Sequence, residues 1–323
     1  MAESSTHIHK SAANTGLASL IGLMMLVALT ACGVPRQTVK IALVAPFEGY
    51  YREVGYDAFP AMRLALRDQI RAGGVGNVEV TFVAYNDNAD PVFAEHVASN
   101  VAIDGDVLAV IGNYRMDTTL AALHVYTASQ LPVIVPEIPA DTVPFDRLVF
   151  RMGVTTSSQV DALSQCPDKQ APVNATWLQP YKGKVNNADL VHLADFQSPA
   201  AAKVLSSSID GLCFAAMSPY PNNLPAAVQA LSSFADVSGA AGAGPRSISA
   251  YDATTLLLQA IGEDIKQHGH PSRDGVAEAL RHIQYHGLLG DISFDERNRW
   301  QAAPTWVYQY GPDGVARRIS DTR

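Results

Sequence analysis

The sequence predicts an α/β protein of two domains, each built on a parallel sheet flanked by helices, and three observations carry that prediction. Short apolar runs suited to buried strands alternate with amphipathic stretches at helical spacing between Val39 and Val135. The 323 residues exceed what one ordinary core accommodates. Helix and strand signals resume after Ser249, beyond a middle stretch of weaker periodicity.

The N-terminal segment reads as an export address. Lys10 precedes an uncharged apolar run from Gly16 to Ala31, which is short for a membrane span and ordered like a secretory signal. It closes on Leu29-Thr30-Ala31-Cys32, which resembles a bacterial lipobox. Residues 1–31 are therefore expected to be a signal peptide, Cys32 the lipidated first residue, and 32–38 a tether. The other reading is a signal anchor in which Cys32 is incidental. Cys166 and Cys213 then remain, either paired in an oxidising compartment or simply two small buried residues.

The run from Val39 to Ala45 stops at Pro46 and reads as a buried strand. The loop Glu48-Gly49-Tyr50-Tyr51-Arg52-Glu53 leads into a helix on which Phe59, Met62, Leu66 and Ile70 recur at helical spacing, with Gly73-Gly74 as its stop. Val78, Val80 and Phe82 alternate as a second strand. Asp90-Pro91 has the cap-then-proline pattern and opens a helix carrying Phe93, Val97 and Val101. Strand three is expected from Val107 to Ile111, a helix from about Thr118 to Ser129, and strand four at Val133-Ile134-Val135. Parallel sheets hold ligands beyond the carboxyl ends of their strands, so the loops after Ala45, Ile111 and Val135 are the expected functional positions.

Pro46 to Gly55, the Gly73-Gly74 stop, Tyr85-Asn86-Asp87-Asn88-Ala89-Asp90-Pro91 and Val110-Ile111-Gly112 occur in that order. The series resembles the first lobe of the type I periplasmic binding proteins, in particular the branched-chain amino-acid-binding family of transporter receptors. Phe150-Arg151-Met152 sits where that family crosses to its second lobe. The resemblance implies 39–153 as lobe 1 with 249–288 returning to it, and 154–248 as lobe 2 with 289–323 returning to it. Helices from Ser249 to about Gln267 and from Ser272 to about His282, then antiparallel strands at Ile292-Ser293-Phe294-Asp295 and from Thr305 to Tyr310, are similar to the family's C-terminal end. The middle departs from the pattern. Asp189 to Asp195, and Ile209 to Met217 with a helix near Pro225 to Phe234, resemble the last two strand–helix units, whereas 166–187 shows no periodicity. The family carries further strand–helix units between the positions of Val154 and Ser249 that this stretch lacks, so the resemblance implies a truncated second lobe.

The resemblance also implies a small polar solute between the lobes, an amino acid or a cationic amino compound. Its carboxylate would be held after strands three and four, and its ammonium by an acid of lobe 2. The strand-three loop places Arg115 and Met116 where serines are expected. Arg115 is either a replacement cation with fork geometry for a carboxylate or an exposed loop residue. Asp117 is expected to cap the helix, with Thr118 completing the candidates on this loop. Glu137 replaces a small hydroxyl residue after strand four, and Tyr51 and Arg52 are candidate cleft walls. Asp195 is either the ammonium-binding acid or a strand-end cap. Asp117, Glu137 and Glu48 together would make the mouth acidic and favour a cationic solute over leucine, isoleucine and valine. An ABC transporter permease and, through Cys32, a membrane are the implied partners.

A net charge of −8 with no basic run excludes nucleic acid as a partner. Nothing resembles a nucleophile elbow, a Cys/His signature or a phosphate loop, so no enzyme and no cofactor are expected. Gly239 to Gly244 reads as a flexible linker, since no strand precedes it. His282 and His286 have the spacing of a helical metal pair, but no third ligand is evident and Gly287 follows at once. The alternative to solute binding is a signalling or protein-interaction lipoprotein that keeps the fold.

Overall fold

Alternate side chains of one apolar run divide between two cores, and this determines how the first sheet is covered. Val39, Ile41, Leu43 and Ala45 of β1 (Gln37–Ala45) enter one core, while Ala42 and Val44 enter the other. The computed structural model describes residues 36–163, 166, 210–239 and 242–322. Its first sheet joins β1 to β2 (Val78–Asn86), β3 (Val107–Gly112), β4 (Val133–Val135) and β5 (Val149–Arg151) in the order β2-β1-β3-β4-β5. The pairs β1–β3, β3–β4 and β4–β5 are parallel.

The described α-helices in chain order are α1 (Glu53–Arg71), α2 (Pro91–Ile103), α3 (Met116–Ala128), α4 (Thr156–Leu163), α5 (Pro225–Ala230), α6 (Phe234–Ser238), α7 (Arg246–His268) and α8 (Arg273–His282). Met62 and Leu64 of α1 share the first core with Leu256, Leu257 and Ile261 of α7 and Leu280 of α8. Val97 and Val101 of α2 share the second with Leu123 and Tyr126 of α3. The buried stripe of α1 is largely small, with Val54, Ala58, Ala61 and Ala65 beside Met62 and Leu64, so the helix lies close to its neighbours. Ile70 and Phe93, expected inward, are instead 61% and 40% exposed. Helix ends follow local chemistry. The Asp90 side chain accepts the Phe93 amide at 2.8 Å with Pro91 in the first position, and the Ser272 hydroxyl accepts the Gly275 amide at 3.0 Å. Gly74 and Gly269, at φ 84° and 81°, close α1 and α7 in the left-handed region.

The second sheet is described only in part, since the strand expected over Asp189 to Asp195 lies outside the described residues. Its described strands are β6 (Cys213–Ala216), β9 (Thr305–Tyr310) and β10 (Ala316–Thr322), ordered β10-β9-β6 with both pairings antiparallel. The strand expected over 292–295 is shorter and pairs elsewhere. β8 (Gly290–Ile292) folds back on β7 (Tyr285–Gly287), because both edges of β9 are occupied by β6 and β10. The carboxylate of Asp252 on α7 fixes that small hairpin by accepting the Leu288 and Leu289 amides at 2.9 and 2.8 Å. The helix expected from Pro225 to Phe234 stops at Ala230 and resumes at Phe234, and the intervening Ser232-Ser233 has modest helix propensity.

Two links join segments distant in sequence. Arg151, at the end of β5, is buried and donates to the carbonyls of Ala140 (3.1 Å), Val143 (3.0 Å) and Arg297. Its own amide donates to the Asn298 carbonyl at 2.8 Å. Cys166 and Cys213 are joined by a disulfide, with Cα atoms 6.3 Å apart. Cys32, the segment from Asp189 to Asp195 and the rest of the signal and tether up to Pro35 lie outside the described residues. Among the described residues no helix is long and apolar enough to cross a membrane.

Candidate functional site

Parallel pairing brings the loops after β1, β3 and β4 to one end of the first sheet, where helix N-termini also converge. On the outer rim, the Arg115 guanidinium lies 4.1 Å from the centroid of the Tyr51 ring. It also pairs with Asp117 at 3.2 Å and is only 16% exposed, so it is not a free loop cation. Asp117 does not cap α3 as expected. It falls within the first turn, where it accepts the Thr118 amide at 2.9 Å and still complements the helix dipole. Arg52 is exposed and lines a shallow pocket with Gly49, Tyr50 and Glu53.

Beneath this rim lies a sealed polar layer. Thr118 is buried, and its hydroxyl donates to the Arg115 carbonyl at 3.2 Å. Asp87, at the end of β2, accepts from Asn113 Nδ2 at 2.8 Å and from the Ala89 amide at 3.0 Å, and burial pushes its carboxyl pKa up. Tyr126 completes the network by donating to Asn113 Oδ1 at 3.3 Å. These contacts hold the strand-three loop in one shape.

A second buried cluster joins the loops to α7. Glu137 is 1% exposed; Ser249 donates to its Oε1 at 2.6 Å and Arg246 Nε stands 3.4 Å from its Oε2. Burial raises the Glu137 pKa, opposed by Arg246 and then by Ser249. Tyr114 is 4% exposed, and burial keeps its phenol protonated, its pKa pushed well above the ordinary tyrosine value. Asp57, on α1, accepts the Gly244 amide at 3.1 Å, and burial raises its pKa to about 7 against the pull of Arg246. A Cβ on Gly244 would sit 2.1 Å from Asp57 Oδ2, so this glycine is a fixed contact rather than part of a flexible linker. The two histidines separate. His282 faces Glu278 at 3.0 Å, whereas His286 faces Asp291 at 2.6 Å from a strand.

Of the expected site residues, Tyr51, Arg115 and Asp117 meet, Arg52 lies beside them, and Thr118 and Glu137 are buried. Asp195 lies outside the described residues. Asp117 and Glu137 each pair with an arginine, so of the three acids expected to charge the mouth, Glu48 alone is exposed with no arginine partner among the described residues. Sequence reasoning missed Asp57, Tyr114, Arg246 and Ser249. Asp57 was detectable, since it falls on the apolar face with Val54, Ala58 and Ala61 at helical spacing.

The geometry can be set beside known proteins. A model of the periplasmic binding protein family matches residues 38–170. The leucine-, isoleucine-, valine-, threonine- and alanine-binding protein of Pseudomonas aeruginosa is 28% identical over 137 residues, 42% of this chain and 36% of that protein, so the match spans about a third of the relative's length. Among solved structures, the leucine-binding protein LivK of Thermotoga maritima superposes with a TM-score of 0.67 at 16% identity, covering 88% of this chain and 99% of that one. LivJ of Streptococcus pneumoniae, solved with isoleucine, gives 0.67 at 14% identity over 88% and 99%. The fold is that of the type I periplasmic binding proteins. A benzoate-bound solute-binding protein of R. palustris shares it, with a TM-score of 0.63 at 13% identity over 88% of this chain and 96% of that one.

Proposed function

We propose that this chain is the solute-binding component of an ABC-type uptake system and takes a small polar, amino-acid-like ligand between its lobes. The observation that carries this reading is the Tyr51–Arg115 stack at the carboxyl end of a parallel sheet, on a fold shared with proteins solved with isoleucine and benzoate. Arg115, oriented by the Tyr51 face and by Asp117, offers a fork suited to a carboxylate. Asp195 from lobe 2 is proposed to take the ammonium. Lobe closure would exclude water and strengthen both contacts. Binding rather than catalysis is the activity proposed, with no cofactor, and Cys32 is proposed to anchor the exported protein to a membrane beside its permease.

Neutralisation of Asp117 and Glu137 removes the basis for a strongly cationic solute, so zwitterionic and anionic compounds join the candidates. A thermal-shift panel of free amino acids, amines and aromatic carboxylates tests the reading, because a ligand of the folded state raises the midpoint by mass action. A reproducible shift with one of these solutes is expected. No shift across the panel would favour the protein-interaction alternative, for which Tyr50 and Tyr56, 62% and 60% exposed, are the available aromatic contacts.

A further inference from the structure

We propose that Tyr114 and Glu137 form a subsite for a hydroxyl group of the bound solute. The inference rests on the solute-binding reading above and adds the class of ligand. Tyr114 follows β3 and Glu137 follows β4, adjacent parallel strands whose carboxyl ends face the cleft. Tyr114 is 4% exposed, yet its Oη has no hydrogen-bond partner among the described residues. Glu137 is 1% exposed, and its Oε2 likewise has no hydrogen-bond partner there, being held only by the 3.4 Å ion pair to Arg246 Nε. The two are electrostatic neighbours. After burial, Glu137 is the largest influence on the Tyr114 phenol, followed by Arg246 and Asp57.

Buried polar atoms are nearly always paired, and leaving them unpaired is unfavourable, so this pair defines what the missing group must supply. Glu137 Oε2 accepts only, whereas Tyr114 Oη has a proton to donate because burial keeps the phenol neutral. A single group that serves both atoms gives a hydrogen to the carboxylate and a lone pair to the phenol. A hydroxyl has both. An ammonium has no lone pair, a ligand carboxylate would meet Glu137 as a like charge, and a methyl group would satisfy neither atom. A hydroxyl is also neutral, so it leaves the Glu137–Arg246 balance unchanged. Ordered water shares this chemistry, and the comparison of hydroxylated with matched non-hydroxylated ligands separates the two.

The experiment is calorimetric titration of the full mature chain with near-isosteric pairs: threonine against valine, serine against alanine, and 4-hydroxybenzoate against benzoate. The readout is the affinity ratio within a pair. In the wild type at least one pair should favour the hydroxyl by roughly tenfold or more, as expected where a site is built to hydrogen-bond it. In Tyr114→Phe, and independently in Glu137→Gln, that ratio should fall to within about twofold. Binding without a hydroxyl preference, or a preference that survives both substitutions, overturns the subsite and assigns the two atoms to water. If no member of any pair binds to folded protein, the subsite falls together with the amino-acid-like part of the proposed function.

Discussion

Asp57 of α1 holds the approach to a helix that begins almost two hundred residues later: its carboxylate accepts the Gly244 amide at 3.1 Å just ahead of α7. Its backbone carbonyl accepts from the Ser247 hydroxyl at 3.1 Å. One partly buried acid thus clamps the segment that leads into α7.

That burial sets a pH dependence. The Asp57 pKa rises from its ordinary value to about 7, chiefly by desolvation, and Asp252 rises to about 6 for the same reason. An acid whose folded pKa is raised favours the folded state most below its unfolded pKa, and that contribution is lost as pH climbs through the folded value. Wild-type stability is therefore expected to decline between about pH 4 and 7. Asp57→Asn keeps an oxygen for Gly244 and should flatten part of that decline. Urea midpoints at pH 5 and pH 8 give the comparison, and equal slopes for both proteins would dismiss the assignment.

Arg273 predicts a large stability effect away from the cleft. Its guanidinium donates to the carbonyls of Val107 (2.9 Å), Ser129 (3.0 Å), Ala102 (3.2 Å) and Asp104 (2.8 Å), gathering the ends of α2 and α3 around the start of β3. Arg273→Ala leaves those acceptors to water and should destabilise by about 2–4 kcal/mol. Arg273→Lys should recover only part, because an ammonium cannot span the same acceptors. Full recovery by lysine in denaturant titrations would show that charge alone matters.

The Cys166–Cys213 bond closes a loop with a sequence separation of 47. In the chain-entropy model such a loop stabilises by about 4 kcal/mol, so Cys213→Ser should lower the unfolding midpoint measurably. Thiol titration of unfolded, unreduced protein should find neither cysteine free. Two reactive thiols would contradict the bond.

At the cleft, Arg115→Ala and Asp195→Ala should each weaken the identified solute about tenfold, near 1.4 kcal/mol. Leucine, isoleucine and valine are expected to bind weakly. Tight binding of leucine would mean that the Arg115 loop serves a carboxylate without the hydroxyls it has replaced.

Anchoring predicts a modified mature N-terminus. Cys32→Ala should free the protein from membranes or block its maturation, and mass spectrometry of the wild type should show an acylated Cys32. An unmodified cysteine there removes the anchor.

Much of lobe 1 was legible because its elements announce themselves locally. Asp90-Pro91 and Ser272 mark helix starts, Gly73-Gly74 marks a stop, and β1 is an unbroken apolar run. The second sheet was less legible because strand partners are chosen by competition: nothing local in 292–295 reveals that β6 and β10 already occupy β9. The rim was readable in part, since Tyr51 and Arg115 are the residue types a cleft would use. The burial of Glu137 was not, because it depends on Arg246 and Ser249 arriving from α7 across more than a hundred residues.

The antiparallel pairing of β6 with β9 has a consequence for biogenesis. The first sheet and α1 lack α7 and α8 until the chain has passed through β6, and β6 lacks β9 until α8 has been made. Neither half is a self-sufficient folding unit while the polypeptide is still emerging. Assembly should then be a late event governed by contacts distant in sequence, slower than in a protein of contiguous domains. A nascent chain ending before Thr305 would expose β6 as a bare edge, which is the form most vulnerable to proteases and to association with its own copies.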